Sequence, residues 1–150
     1  MEARLEIRLA LAPFDPATEL AAFTAAHPHA GGVVSFLGQV RADGVVEALE
    51  LQHFAPLTLP GMEALGRAVL ASWALDGLLI VHRAGTMAPG EPIVLVAAAA
   101  RHRRDAFAAA DFAMDHLKSE SWFWKREKRA GQWHWIEPRE QDYADKARWS

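Results

Sequence analysis

The spacing of apolar side chains divides the chain into strands and helices. Residues 5–11 alternate apolar with mostly polar positions, the pattern of a strand with one buried face. Asp15 and Pro16 then supply an N-cap and a proline suited to a first helical turn. We therefore expect the fold to begin with a strand, followed by a helix to about residue 26.

A turn signal separates two strand-like segments in the next part of the chain. Residues 32–40 are rich in β-branched and aromatic side chains, and residues 45–54 alternate apolar with polar positions. The residues at 42–44, Ala-Asp-Gly, are typical of a hairpin turn, so the two strands are predicted to pair antiparallel. After a proline-delimited loop, a helical period over residues 62–75 predicts a second helix.

Two more strands and a third helix follow. Residues 77–83 and 92–99 are apolar runs of strand length, separated by a loop of turn residues at 86–90. Helical spacing returns over residues 103–118. The face of this helix that we expect to be buried carries Phe107, Ala110, Met114 and Leu117.

The last part of the chain predicts a pair of strands and a polar tail. Residues 122–127 and 133–137 have strand character, and residues 138–150 are expected to form a loose tail. Strands and helices are mixed without regular βαβ alternation. The predicted fold is therefore an α+β single domain of residues 1–150 with a mainly antiparallel sheet.

Composition and charge restrict the classes of function that the chain can have. The 150 residues include no cysteine, which excludes disulfides, thiolate catalysis and Cys-based metal sites, and no metal site is expected. There is no signal-peptide pattern and no apolar run of membrane-spanning length, so we expect a cytoplasmic protein. The net charge is −3, yet residues 101–129 hold eight Lys or Arg against five Asp or Glu. A local basic site in an acidic chain favours a small anionic ligand over nucleic acid.

Two lysines are the first candidates for chemistry. Lys118 and Lys125 flank the aromatic run of residues 122–124. An ammonium that loses water among aromatic rings has a lowered pKa, and such a lysine can act as a base or a nucleophile. The alternative is that both lysines are solvated or stack on the indoles.

Other cationic groups fall at the predicted ends of elements. Arg41 follows a strand, and His102 and Arg103 stand at the predicted N-terminus of the third helix, where free N–H groups suit a phosphate or carboxylate. His82 ends another strand, and its ordinary alternative is a hydrogen-bonded core histidine. Sequence spacing alone does not bring these residues together.

Six segments of the chain carry a family likeness. They resemble, in order, the large catalytic subunit of molybdopterin synthase, the MoaE family. The segments are GGVVSFLGQVR (31–41), LQHF (51–54), PGM (60–62), IVHRAG with PGE (80–85 and 89–91), HRRDAFAAADFAMDHLK (102–118) and FWKRE (123–127).

The resemblance implies a fold, an assembly, a sulfur donor and a substrate. The expected fold is an α/β hammerhead, and the expected assembly is a homodimer within a heterotetramer that includes a small ubiquitin-like, MoaD-like sulfur carrier. The carrier's C-terminal Gly-Gly ends in a thiocarboxylate, which would supply sulfur twice to cyclic pyranopterin monophosphate (precursor Z) and form the dithiolene of molybdopterin. No cofactor is implied for this step.

The resemblance also assigns roles to residues. Lys118 and Lys125 match lysines of the family pattern and are the expected catalytic residues, whereas Arg41, His102 and Arg103 match positions expected to bind substrate. Two alternatives stay open. A dimeric scaffold would bind the carrier without turnover, and a single-strand nucleic-acid binder would show strongly salt-dependent binding.

Overall fold

Two four-stranded sheets carry the fold of the computed structural model, which describes residues 2–120 and 122–149. The described elements are β1 (Arg4–Ala10), α1 (Pro16–Ala26), β2 (Gly32–Gln39), β3 (Ala48–His53), α2 (Thr58–Ser72), β4 (Gly77–Arg83), β5 (Gly85–Met87), β6 (Pro92–Ala100), α3 (Arg103–Ser119), β7 (Phe123–Arg129), β8 (Gln132–Ile136) and α4 (Glu140–Ala147).

The first sheet is the centre of a three-layer structure. Its strand order is β1-β4-β6-β2, with β1 parallel to β4 and the other pairs antiparallel. Leu78 and Ile80 of β4 face one way and pack in the core beneath α2 and α3, whereas Leu79 and Val81 face the layer that holds α1. Both faces of β4 are covered, which explains its continuous apolar sequence.

Alanines form the contact between α3 and β6. Ala106, Ala109 and Ala113 of α3 and Ala98 and Ala100 of β6 belong to one core cluster and are fully buried. Small side chains let the helix lie close to the sheet, and this close approach fixes the height of α3.

The helix face that we predicted was partly wrong. Phe107 is 60% exposed, although it was expected to point inward. The spacing of large apolar residues predicted a buried face too far around the helix, because the buried side chains of α3 are mostly alanines. Leu117, at the other end of the predicted face, is buried as expected.

The second sheet has the order β5-β3-β7-β8, and all its pairs are antiparallel. Leu49, Leu51 and Met87 of this sheet pack with Val40, which follows β2, in a small core. Since the described strands are antiparallel in every pair except β1 with β4, the predicted α+β class is confirmed. No helix in the described residues is long and apolar enough to cross a membrane.

The predicted hairpin between β2 and β3 is wrong. β2 pairs with β6, and β3 pairs with β5 and β7, so the two strands lie in different sheets. The Asp43 carboxylate accepts hydrogen bonds from the N–H groups of Val45 (2.9 Å) and Val46 (3.1 Å). This local turn satisfies backbone groups that a hairpin would have paired, and the chain crosses to the second sheet.

Two further boundaries differ from the predictions. α2 begins at Thr58 rather than at residue 62, because Pro60 lies in the first turn, where its missing N–H removes no helical hydrogen bond. The loop predicted at 86–90 contains the last two residues of an extra short strand, β5, which pairs with β3.

The predicted loose tail is also wrong, because it contains a helix that docks on α3. Arg148 of this segment contacts Asp115 at 2.9 Å, and Lys146 of α4 contacts Glu120 at 2.9 Å. The indole of Trp149 packs edge-on against Trp73 at 5.7 Å between ring centroids. The segment is mostly polar and is held by these charged contacts. The sequence therefore showed no hydrophobic period that would indicate the helix.

Candidate active site

A cavity of about 580 Å³ opens between the second sheet, the C-terminal end of α3 and the segment that leads into α4. Its lining contains both cationic and acidic side chains. The cationic groups are Arg41, Lys118, Lys125, Arg129 and Arg139, and the acidic groups are Asp43, Glu120, Glu127, Glu137 and Asp142. Three of the five predicted site residues, Arg41, Lys118 and Lys125, therefore line one cavity.

Lys118 occupies the last turn of α3 and extends into the cavity. Its side chain reaches solvent inside the opening, but the surrounding protein removes part of its water. This desolvation lowers the pKa of Lys118 below its usual value, and the positive charge of Lys125 lowers the pKa further. Lys118 can therefore reach the neutral amine more readily than an ordinary surface lysine can.

Lys125 lies on β7 and shares its inward face with Phe123 and Glu127. Its Nζ is 3.9 Å from Oε1 of Glu127, a loose ion pair that leaves the lysine free to meet a ligand. The predicted aromatic surroundings are only partly present. Phe123 lines the cavity, but Trp124 is on the other face and 66% exposed, and the ring of Trp122 lies against Gly61.

Replacing Lys125 with methionine is expected to raise the pKa of Lys118, because the change removes a neighbouring positive charge and keeps the apolar stem. The chain has four lysines, so NMR titration of protein labelled with ¹³C at the lysine Cε gives few signals to assign. Lys128→Met is the matched control, since Lys128 lies on β7 but not in the cavity. An unmoved Lys118 titration in Lys125→Met would show that the two amines do not interact.

Arg41 reaches the cavity from the segment between the two sheets. Asp43, close by, has a pKa lowered mainly by the hydrogen bonds from the Val45 and Val46 N–H groups, with a smaller contribution from Arg41. The carboxylate is therefore already engaged by its own turn. Arg41 keeps its guanidinium available for an anionic group.

His82 lines the cavity, and the sequence had left it open between a cationic group at a strand end and a hydrogen-bonded core histidine. It is 6% exposed, its Nδ1 lies 2.9 Å from the carbonyl oxygen of Arg83, and its ring stacks on Phe123 at 4.1 Å. Burial lowers the pKa of His82 to about 4, and the charge of Lys118 contributes to this shift. His82 is therefore neutral at physiological pH.

The depressed pKa of His82 predicts a loss of stability in acid. Between about pH 6.5 and pH 4 the unfolded chain binds a proton at His82 and the folded chain does not, so stability falls as the pH drops through this window. The shift corresponds to about 3 kcal/mol. Urea unfolding of the wild type and of His82→Phe at pH 7 and pH 4 checks this. Equal losses in both proteins would contradict it, because carboxylates titrate in both.

His102 and Arg103 do not join the cavity of their own chain. Both stand at the N-terminal end of α3, and Arg103 lines a separate shallow depression beside Phe107 and Trp149. At 1.5 Å per residue, Arg103 and Lys118 are about 22 Å apart along the helix. These two residues can meet Lys118 only if a second copy of the chain supplies them.

The segment before and within α4 forms a wall that the sequence did not predict. Glu137, Pro138, Arg139 and Asp142 line the cavity, and the N–H of Arg139 donates to the Asp142 carboxylate at 3.0 Å. An acidic residue three positions into a helix is a typical capping signal, and it follows a proline here. That spacing could have indicated the helix.

The arrangement suits an anionic ligand and amine chemistry. Arginine and lysine groups converge on one opening, and one of the lysines has a lowered pKa. Among residues 2–120 and 122–149, no group of three or more His, Asp or Glu side chains is placed to hold a metal ion. The described side chains can therefore bind an anion and transfer a proton.

Known proteins are similar to this chain in both sequence and fold. The model of the MoaE protein family matches residues 9–120. The molybdopterin synthase catalytic subunit of Caulobacter vibrioides is 43% identical over 138 residues, which cover 91% of this chain and 92% of that protein.

Two solved structures also match. The molybdopterin biosynthesis MoaE protein from Burkholderia ambifaria superposes with a TM-score of 0.81 at 38% identity, covering 97% of each chain. Molybdopterin synthase from Staphylococcus aureus gives a TM-score of 0.73 at 28% identity, covering 85% of this chain and 94% of the other.

Proposed function

Because the chain belongs to the MoaE family of molybdopterin synthase catalytic subunits, we propose that its cavity transfers sulfur from a carrier protein to cyclic pyranopterin monophosphate. The observation that carries this proposal is the position of Lys118. Its amine, with a lowered pKa, stands beside Lys125 in an opening wide enough for a small molecule.

The proposed sulfur donor is a small ubiquitin-like carrier whose C-terminal Gly-Gly ends in a thiocarboxylate. Such a tail is thin, because glycine has no side chain, and it is anionic at its end. The cavity offers both an opening and cationic groups, so the terminus can approach Lys125 with charge-assisted contacts. The loose pair between Lys125 and Glu127 leaves that ammonium available.

The proposed reaction forms two carbon–sulfur bonds on the pterin. In each transfer the thiocarboxylate sulfur attacks a substrate carbon and displaces an oxygen substituent from it. Water then hydrolyses the resulting thioester, which leaves the sulfur on the substrate and releases the carrier with a terminal carboxylate. Lys118 is the leading group for activating the attacked carbon or moving the proton that accompanies loss of oxygen. Lys125 is the second catalytic candidate and the proposed contact for the thiocarboxylate.

The proposed phosphate site combines two copies of the chain. Arg41 lies in the same cavity as Lys118, whereas His102 and Arg103 stand at the far end of α3. We propose that these two residues enter the cavity of a partner protomer, where a helix N-terminus and cationic side chains suit a phosphate. The assembly would then be a homodimer with one carrier on each subunit, and we expect it in the cytoplasm.

A turnover assay tests the proposed function. The purified protein is mixed with thiocarboxylated carrier and cyclic pyranopterin monophosphate, and dithiolene formation is followed. Product in proportion to carrier consumed is the expected result. Carrier binding without product would favour a non-catalytic scaffold, and absence of carrier binding would overturn the proposal.

A further inference from the structure

His82 holds an unassigned polar position at the inner end of the cavity. It lies on the same face of β4 as Leu78 and Ile80, which pack beneath α3, and it is the polar residue that follows them where the core gives way to the opening. A buried histidine at such a place needs partners for both ring nitrogens.

The hydrogen bond at Nδ1 determines the state of the other nitrogen. The Arg83 carbonyl oxygen, 2.9 Å away, can only accept, so Nδ1 must carry the proton. A neutral ring with its proton on Nδ1 has a lone pair on Nε2. No described residue donates a hydrogen bond to that nitrogen, which leaves it free to accept one from a ligand.

The ring is also held in a fixed plane. Its near-parallel stack on Phe123, with 19° between the planes, and the bond to Arg83 leave little freedom for rotation. The acceptor is therefore positioned before any ligand arrives. Preorganised groups of this kind lose little conformational entropy on binding.

The neighbouring groups define which ligand needs this acceptor. Arg41, Lys118 and Lys125 present donors, which suit phosphate and thiocarboxylate oxygens. A reduced pterin carries ring and exocyclic N–H groups and hydroxyl groups, and these require an acceptor. The carboxylates of the lining are acceptors as well, but they are charged. His82 is a neutral acceptor, buried beside Phe123 and near Lys118, so it complements the pterin part of the substrate.

Building on the function proposed above, we propose that Nε2 of His82 accepts a hydrogen bond from an N–H or O–H group of the cyclic pyranopterin and orients its ring. His82 is then a binding residue for the pterin and not for the carrier. A site that pairs with a substrate donor also discriminates against analogues that lack it.

The test compares two replacements of His82. His82→Phe keeps the ring and the stack on Phe123 but removes the acceptor, and His82→Gln offers an amide oxygen. We expect His82→Phe to raise KM for cyclic pyranopterin monophosphate about 10- to 100-fold with kcat little changed, and His82→Gln to recover much of the loss. Affinity for the carrier should stay within about twofold of the wild type in both variants.

Three outcomes would overturn the proposal: a folded His82→Phe with unchanged KM, no recovery in His82→Gln, or a loss confined to carrier binding. Direct titration of pyranopterin binding by tryptophan fluorescence needs no turnover. It therefore separates failure of the His82 contact from failure of the proposed function, which would show as an inactive wild type.

A second measurement avoids substitution entirely. Long-range ¹H–¹⁵N NMR of the wild type reports the tautomer of each of the seven histidines. Addition of cyclic pyranopterin monophosphate should shift the Nε2 resonance of His82 in the direction of an accepted hydrogen bond, with Nδ1 still protonated. An unshifted Nε2 in the saturated complex would overturn the contact, even if His82→Phe does not fold.

Discussion

Lys118→Ala is expected to lower the rate of dithiolene formation at least about 100-fold, the usual scale for loss of a positioned acid–base group. The amine stands at the end of α3, partly desolvated by the cavity and close enough to Lys125 for the second positive charge to lower its pKa. Alanine removes that amine and leaves α3 intact, because alanine is a good helix former. Single-turnover kinetics with saturating carrier and substrate provide the measurement.

Two variants control for this prediction. Lys128→Ala removes a lysine of β7 outside the cavity and should leave the rate near that of the wild type. Lys118→Arg keeps a positive charge but cannot lose its proton, so it should stay slow if the amine must be neutral. A wild-type rate for Lys118→Ala would show that Lys118 takes no part in the reaction. Full activity of Lys118→Arg would show that Lys118 contributes only a positive charge.

Ala109→Leu is expected to destabilise the protein by about 3 kcal/mol, since overpacking of a closed contact forces the backbone apart. Ala109 is fully buried in the cluster that joins α3 to the first sheet. The added side chain must push α3 away from β6, and Lys118 at its far end would move as well. Urea unfolding gives the change in stability, and the turnover assay gives the effect on activity.

Ala108→Leu is the matched control for this second prediction. Ala108 is the preceding residue of α3, half-buried beside the shallow depression that Phe107 and Trp149 also line. The same substitution there should change stability by less than about 1 kcal/mol. If Ala109→Leu were equally mild, the height of α3 would not be set by its alanines.

Hydrophobic periodicity correctly predicted elements in which one face or both faces are regularly buried. β1, β4 and β6 were found because their apolar patterns reflect one or two covered faces, and α1 was found from Asp15 and Pro16. The hairpin of β2 and β3 was wrongly predicted because hairpin geometry depends on the exact turn, and the side chain of Asp43 forms a different one. α4 was missed because ion pairs with α3 hold it in place.

The candidate site depends on contacts that spacing does not encode. Lys118, Lys125 and Arg41, which the family resemblance singled out, line one cavity in the structure. His82 has no sequence signal that separates a cavity acceptor from a core histidine; only the hydrogen bond at Nδ1 and the place of His82 in the cavity lining make the distinction. Whether His102 and Arg103 reach a cavity depends on a second chain, which no local pattern encodes.

The pairing of distant strands has a consequence for how the protein acquires its fold. In the first sheet Arg4 pairs with Gly77, and in the second Gln52 pairs with Trp124. Closing such long loops is entropically costly, and chains dominated by non-local pairs fold slowly for their size. The hairpin of β7 and β8 and the individual helices can form early, but His82, Lys118 and Lys125 come from three separate elements. We therefore expect the cavity to be assembled late, and a partly folded chain to hold its lysines apart as ordinary solvated side chains.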